Sequence, residues 1–137
     1  MTNHSTDKLA SILLPLPMPA LYDYKIPEEV PEISFGMRVE VEFGKNKRYA
    51  GVVIEVHTRI DLTRRYKSLL QVIDEKPILF KYQLDFWRWI SQYYCCTLGE
   101  VMAAALPSGL KLSSELRIIS NSSIQYQQIQ LSDDEFL

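Results

Sequence analysis

Apolar and polar positions alternate with a period of two from Met37 to Phe43. Met37, Val39, Val41 and Phe43 share one face, and Arg38, Glu40 and Glu42 share the other, the pattern of a half-buried strand. After a turn at Gly44 the alternation resumes over Arg48 to His57 and predicts Ala50, Val52, Ile54 and Val56 inward. Gly51 within that run marks a bulge or a close backbone approach. Shorter apolar runs predict strands over Leu9–Leu14, Leu21–Ile26 and Lys67–Ile73. Between the first two of these, Pro15, Pro17 and Pro19 hold the chain extended. Five short strands separated by turns, one of them a tight hairpin, predict a small, partly open β barrel of oligonucleotide-binding type over residues 9–76.

The period then changes. Lys81, Asp85, Arg88 and Gln92 recur as one polar stripe of a helix from Lys81 to Cys96, with Tyr82, Phe86, Trp87, Trp89, Ile90, Tyr93 and Tyr94 around the rest. Such rings form a stacking platform or pack on the barrel, and packing is the expectation here. Thr97-Leu98-Gly99-Glu100 has the form of a capping box opening a second short helix through Ala105. Pro107-Ser108-Gly109 stops it. The expected fold is mainly β with α additions, the helical extension covering 80–106. Residues 1–8 are polar and read as a disordered N-terminus. Residues 111–137 read as a linker rich in Ser, Asn and Gln, followed by the start of another helix, with Ser132 as its cap and Asp133, Asp134 and Glu135 in its first turn. A helix that begins where the sequence stops is expected of a fragment of a longer protein.

The composition, 47% hydrophobic and 23% charged over 137 residues, is that of one globular domain. A net charge of −2 argues against wholesale polyanion binding, yet it hides an asymmetry. Lys45, Lys47, Arg48, Arg59, Arg64, Arg65 and Lys67 face only Glu55 and Asp61 in the same stretch. A basic middle of this kind is either a solvated face or a local phosphate-attracting surface. Cys95 and Cys96 are adjacent, have no metal-ligand spacing with His4 or His57, and read as reduced thiols in a cytosolic helix. The apolar stretch from Leu9 to Ala20 carries three prolines and fits neither a signal peptide nor a membrane span. A cytoplasmic protein without membrane contact is expected.

No Walker-type loop is present: Phe43-Gly44-Lys45-Asn46 lacks both the length and the following hydroxyl. No Ser, His and Asp arrangement stands out, and His57 reads as a surface residue at a strand end. The chemistry that does stand out suits a nucleic acid. Tyr22 offers a ring on which any base can stack. Lys45, Lys47, Arg48 and Lys67 offer cations to phosphates. Asp23 is the informative residue, because a carboxylate repels phosphate and would oppose an internal nucleotide. A free terminal 3′-hydroxyl carries a proton, and a charge-assisted bond to it contributes roughly 1.5–3 kcal/mol. Asp23 is therefore suited to a strand end, or else it caps a turn or pairs with a lysine. Gly44 either serves the hairpin alone or clears room for a nucleotide.

The ordered set Leu14-Pro15-Leu16-Pro17, Leu21-Tyr22-Asp23-Tyr24, Ile26-Pro27, Gly36-Met37-Arg38-Val39, Phe43-Gly44-Lys45 and Gly51-Val52-Val53 resembles one family. Val72-Ile73-Asp74, Lys76-Pro77, Trp89, Tyr93-Tyr94, Leu98-Gly99-Glu100-Val101 and Ala105-Leu106-Pro107 continue the series to about residue 110. The family is the N-terminal 3′-end DNA-binding domain of primosomal protein N′ (PriA), the bacterial replication-restart helicases. The resemblance implies a domain over 9–110 that captures the 3′-hydroxyl terminus of the nascent leading strand at a stalled fork. It implies a site of Tyr22, Asp23, Gly44 and Lys67, Tyr22 standing where the family often has Phe. Lys45, Lys47, Arg48 and Arg65 are candidate phosphate contacts, although the loop 58–66 matches the family less well. No catalytic residue, metal or cofactor is implied for this stretch. The longer parent implied is an ATP-dependent 3′→5′ DNA helicase using ATP, Mg and Zn. Its partners would be single-stranded 3′ ends, branched fork DNA, single-stranded DNA-binding protein and other primosome proteins, and 111–137 would lead into a winged-helix domain. The alternative is a protein-interaction module using the barrel or the Leu-Pro segment as a peptide-contact surface.

Overall fold

The computed structural model describes residues 8–58 and 63–111. The expectations for residues 1–7, Arg59 and 112–137 lie outside the described residues. The strands are β1 (Leu9–Leu13), β2 (Tyr22–Lys25), β3 (Arg38–Phe43), β4 (Lys47–His57) and β5 (Gln71–Val72), followed by α1 (Lys81–Tyr93), α2 (Leu98–Ala105) and a 3₁₀ turn at Ser108–Leu110. All four strand pairings are antiparallel, in the order β2-β1-β4-β3-β5. The architecture is mainly β with helical additions, as the periodicities predict.

On the far side β2 meets the segment that leads into β5. Lys25 donates its N–H to Lys67 O at 2.9 Å and accepts from Leu69 N–H at 3.0 Å, making a parallel bridge between Lys25 and Ser68. These bonds curl the sheet toward a barrel, which removes much of an otherwise exposed edge. Tyr24 Oη reinforces the join by donating to Glu42 O on β3 at 3.1 Å.

Both faces of the sheet are covered. Ala10, Ile12, Tyr24, Val39, Val41 and Val53 form the barrel interior. Leu13 and Val52 turn outward and pack with Leu79, Leu84, Trp87 and Met102 beneath the helices. Coverage on two sides explains why β1 is buried along its whole length.

The strand expected over Lys67–Ile73 is reduced to Gln71–Val72 with a bridge at Ser68, and three further features differ from the expected pattern. A register shift between Ser11 and Ile12 pairs Ser11 with Glu55 but Ile12 with Val53, leaving Ile54 as the extra residue. Ahead of that bulge the pairing with β3 sets the faces, Gly51 lying across from Val39 and Val52 across from Arg38, so Val53 enters the barrel and Val52 and Ile54 pack under the helices, while Val56 is exposed. Gly51 is a point of close approach, since a Cβ there would collide with Ile12 Cγ2. Arg38, expected in solvent with Glu40 and Glu42, is 8% exposed. The helical extension covers its face of β3, and Arg38 Nη1 donates to Leu110 O at 3.0 Å.

The third difference is α1. Only Leu84 and Trp87 are buried, whereas Tyr82, Phe86, Trp89 and Tyr93 are 54 to 71% exposed. The rings pack on one another instead of on the barrel, Phe86 on Trp89 with centroids 6.1 Å apart and Trp89 on Tyr93 at 5.2 Å. The helix ends at Tyr93, so Cys95 and Cys96 lie in the turn that follows and are free thiols. The capping box at α2 forms as predicted, with Thr97 Oγ1 accepting from Glu100 N and Glu100 Oε2 accepting from Thr97 N. That bond from Thr97 N holds the Glu100 carboxyl below the usual range. Gly99 lets this helix start abut the extended segment, because a Cβ would collide with Leu16 O.

Candidate nucleic-acid interface

β2 presents two faces of different chemistry, because successive strand residues point to opposite sides. Tyr22 and Tyr24 turn inward. The Tyr22 ring meets Phe43 edge-on at 4.7 Å, and Phe43 in turn meets Tyr49 at 6.5 Å. Burial, with Tyr22 and Glu42 adding to it, pushes the Tyr24 phenol up to about 12.

Asp23 turns outward. Its Oδ1 accepts from Ser11 Oγ at 2.6 Å, and His57 Nε2 lies 3.4 Å from the same oxygen. The expectation that Asp23 caps a turn or pairs with a lysine does not describe these contacts. His57, expected at the surface, has a side chain only 10% exposed. Strand geometry gives Asp23 a second resource. Main-chain groups alternate in direction along a strand, and those of Lys25 leave β1 to bond residues 67 and 69. The N–H and C=O of Asp23, two positions earlier, turn to that same side.

Opposite this edge stands the β3–β4 hairpin. Gly44 has φ +69° and Asn46 φ 57°, left-handed values that a tight turn needs and that glycine adopts without steric cost. No atom lies within 4 Å of where a Gly44 Cβ would stand. Lys67 Nζ donates to Glu42 Oε1 at 3.0 Å and to Gly44 O at 3.4 Å, with the side chain about half exposed.

The space between edge and hairpin is an open groove of about 610 Å³, lined by Tyr22, Asp23, Phe43, Gly44, Arg65 and Lys67 among others. Five of the candidate residues thus converge on one place. Lys45, Lys47 and Arg48 do not line it; they are exposed on the hairpin, and Arg48 Nη1 lies 3.7 Å from Glu40 Oε1. Sequence reasoning missed Phe43, which supports the Tyr22 ring, Glu42, which anchors Lys67, and Ser11, which holds Asp23. Ser11 carried a signal: it is the one polar side chain in the strand Leu9–Leu13.

Among the described residues, no group of three or more His, Cys, Asp or Glu side chains could hold a metal ion, and no helix is long and apolar enough to cross a membrane. Residues 11–107 match the family model described as 3′DNA-binding domain (3′BD). The replication restart protein PriA of Haemophilus influenzae is 36% identical over 105 residues, which cover 76% of this chain and 14% of that protein. Those of Synechocystis sp. and Rickettsia conorii are 33% and 30% identical over 82% and 73% of this chain, and 14% and 15% of those proteins. The chain spans about a seventh of the length of these relatives.

Proposed function

Because the chain belongs to the 3′DNA-binding domain family, we propose that its groove receives the terminal nucleotide of a DNA strand. One observation carries this reading: Tyr22, Asp23, Gly44 and Lys67, far apart in sequence, line a single groove. The Tyr22 ring supports the last base or sugar by apolar contact, which any base satisfies. The Asp23 main chain offers one donor and one acceptor to a base edge, and its carboxylate accepts the proton of a free 3′-hydroxyl. An internal nucleotide has no such proton, and its 3′ phosphate is repelled by the carboxylate. The absent side chain at Gly44 leaves room for the sugar. Lys67 and Arg65 neutralise the phosphate on the 5′ side of the terminal residue, with Lys45, Lys47 and Arg48 reaching phosphates further along the strand.

We infer that the parent is a longer replication-restart protein in the cytoplasm. Its ATP hydrolysis and 3′→5′ unwinding belong to other domains, and this one directs them to the nascent leading-strand end at a stalled fork. Single-stranded DNA-binding protein and the other primosome proteins are the expected partners of that parent. The test is binding of one oligonucleotide bearing either a 3′-hydroxyl or a 3′-phosphate. The hydroxyl end should bind at least about tenfold more tightly, the equivalent of one charge-assisted hydrogen bond. Equal affinity would overturn the reading.

A second reading, a protein-contact module, is favoured by the exposed rings of α1. In the Leu-Pro segment the main chain at Leu14 and Leu16 is packed against Gly99, while residues 17–20 are exposed. Salt separates the two readings, since strand binding weakens steeply with ionic strength and a contact between apolar surfaces does not.

A further inference from the structure

We propose that Ser11 and His57 are positioning residues for the Asp23 carboxylate, so that discrimination of a 3′-hydroxyl depends on both; this rests on the terminal-nucleotide reading above. Ser11 sits directly across from Asp23 in the β1–β2 register and is 7% exposed. The two form a pair whose main chains do not bond each other, the arrangement that brings side chains closest. The single hydroxyl proton of Ser11 goes to Asp23 Oδ1 at 2.6 Å. His57 Nε2 lies 3.1 Å from Ser11 Oγ and 3.4 Å from Asp23 Oδ1. With the serine proton already committed, that contact requires a proton on Nε2, so the imidazole donates toward both oxygens. Two donors on Oδ1 fix the rotation of the carboxylate and leave the acceptor capacity of Oδ2 for a ligand.

The experiment measures Kd of the full chain for a labelled oligonucleotide ending in either a 3′-hydroxyl or a 3′-deoxy sugar, neither of which titrates. Ser11→Ala and His57→Ala should each lower the hydroxyl-to-deoxy preference about fivefold while leaving affinity for the deoxy end nearly unchanged. Ser11→Thr, which keeps the hydroxyl, and His57→Gln, which keeps a side-chain donor, should each retain the preference. If the alanine variants do not fold, these two conservative variants carry the test. An unchanged preference in folded alanine variants, or a preference lost in both Ser11→Thr and His57→Gln, overturns the proposal and leaves the terminal-nucleotide reading standing. Equal loss for both ends assigns the two side chains to the fold alone and also overturns it. A wild-type preference of one removes the reading itself, and the proposal with it.

Discussion

Arg38 grips Asp74 with two nitrogens, Nε to Oδ2 at 2.7 Å and Nη2 to Oδ1 at 2.6 Å, while its third nitrogen reaches Leu110 O. One guanidinium thus joins β3, the segment after β5 and the end of the helical extension. The pairing holds the Asp74 carboxyl below the usual aspartate range and raises the Arg38 guanidinium further. Both side chains are largely removed from solvent, so losing one partner strands the other. Asp74→Ala should cost about 3 kcal/mol, and replacing both by apolar residues of similar size should cost less. A carboxyl lowered by folding stabilises the native state fully above the unfolded pKa and loses that contribution as pH falls through the folded value. Denaturant melts should therefore show wild type losing stability below about pH 4, and Asp74→Ala losing less there.

Lys67 is held by Glu42 before any ligand arrives. Glu42→Gln should free the ammonium and tighten single-strand binding a few-fold at low salt, in keeping with an exposed pair contributing up to about 1 kcal/mol. Lys67→Ala should reduce the slope of log K against log salt by about 0.7 if the side chain meets one phosphate. A titration series from low to moderate salt checks both.

Tyr22 has its ring edge-on to Phe43. Tyr22→Phe keeps that contact and should bind strands as wild type does. Tyr22→Ala should weaken binding by about 1–3 kcal/mol, by the same amount whichever base ends the strand. Four oligonucleotides differing only in the last base make the comparison.

Cys95 follows α1 with φ 52°, and Cys96 N–H returns to Ser91 O at 3.1 Å. This is the helix-ending loop in which the left-handed position usually belongs to glycine. Cys95→Gly should raise stability by about 1 kcal/mol, because an L side chain in that region costs roughly that much. Thermal unfolding under reducing conditions measures it.

The alternation of Val39 and Val41, the glycine turn and the Thr97–Glu100 box were legible because each is a local pattern with a local cause. Arg38 and His57 were not, since their burial comes from Leu110 and Ser11, far away in sequence. The facing of β4 was not legible, because the run Val52-Val53-Ile54 is apolar on both sides and only its pairing with β3 decides which residue enters the barrel. On α1, with apolar rings on nearly every side, periodicity could not say which stripe the barrel covers; Leu84 and Trp87 take that place. The candidate residues of the groove came from side-chain chemistry and from resemblance, and five of them line it from its two sides.

The main-chain bonds from Lys25 to residues 67 and 69 suspend the cationic segment from the very strand that bears Tyr22 and Asp23. Backbone amides survive every substitution except proline, so side chains around this segment can change while Lys67 and Arg65 keep their alignment with the ring. Spacing there is inherited from the cylinder itself, and only the lettering is left to vary.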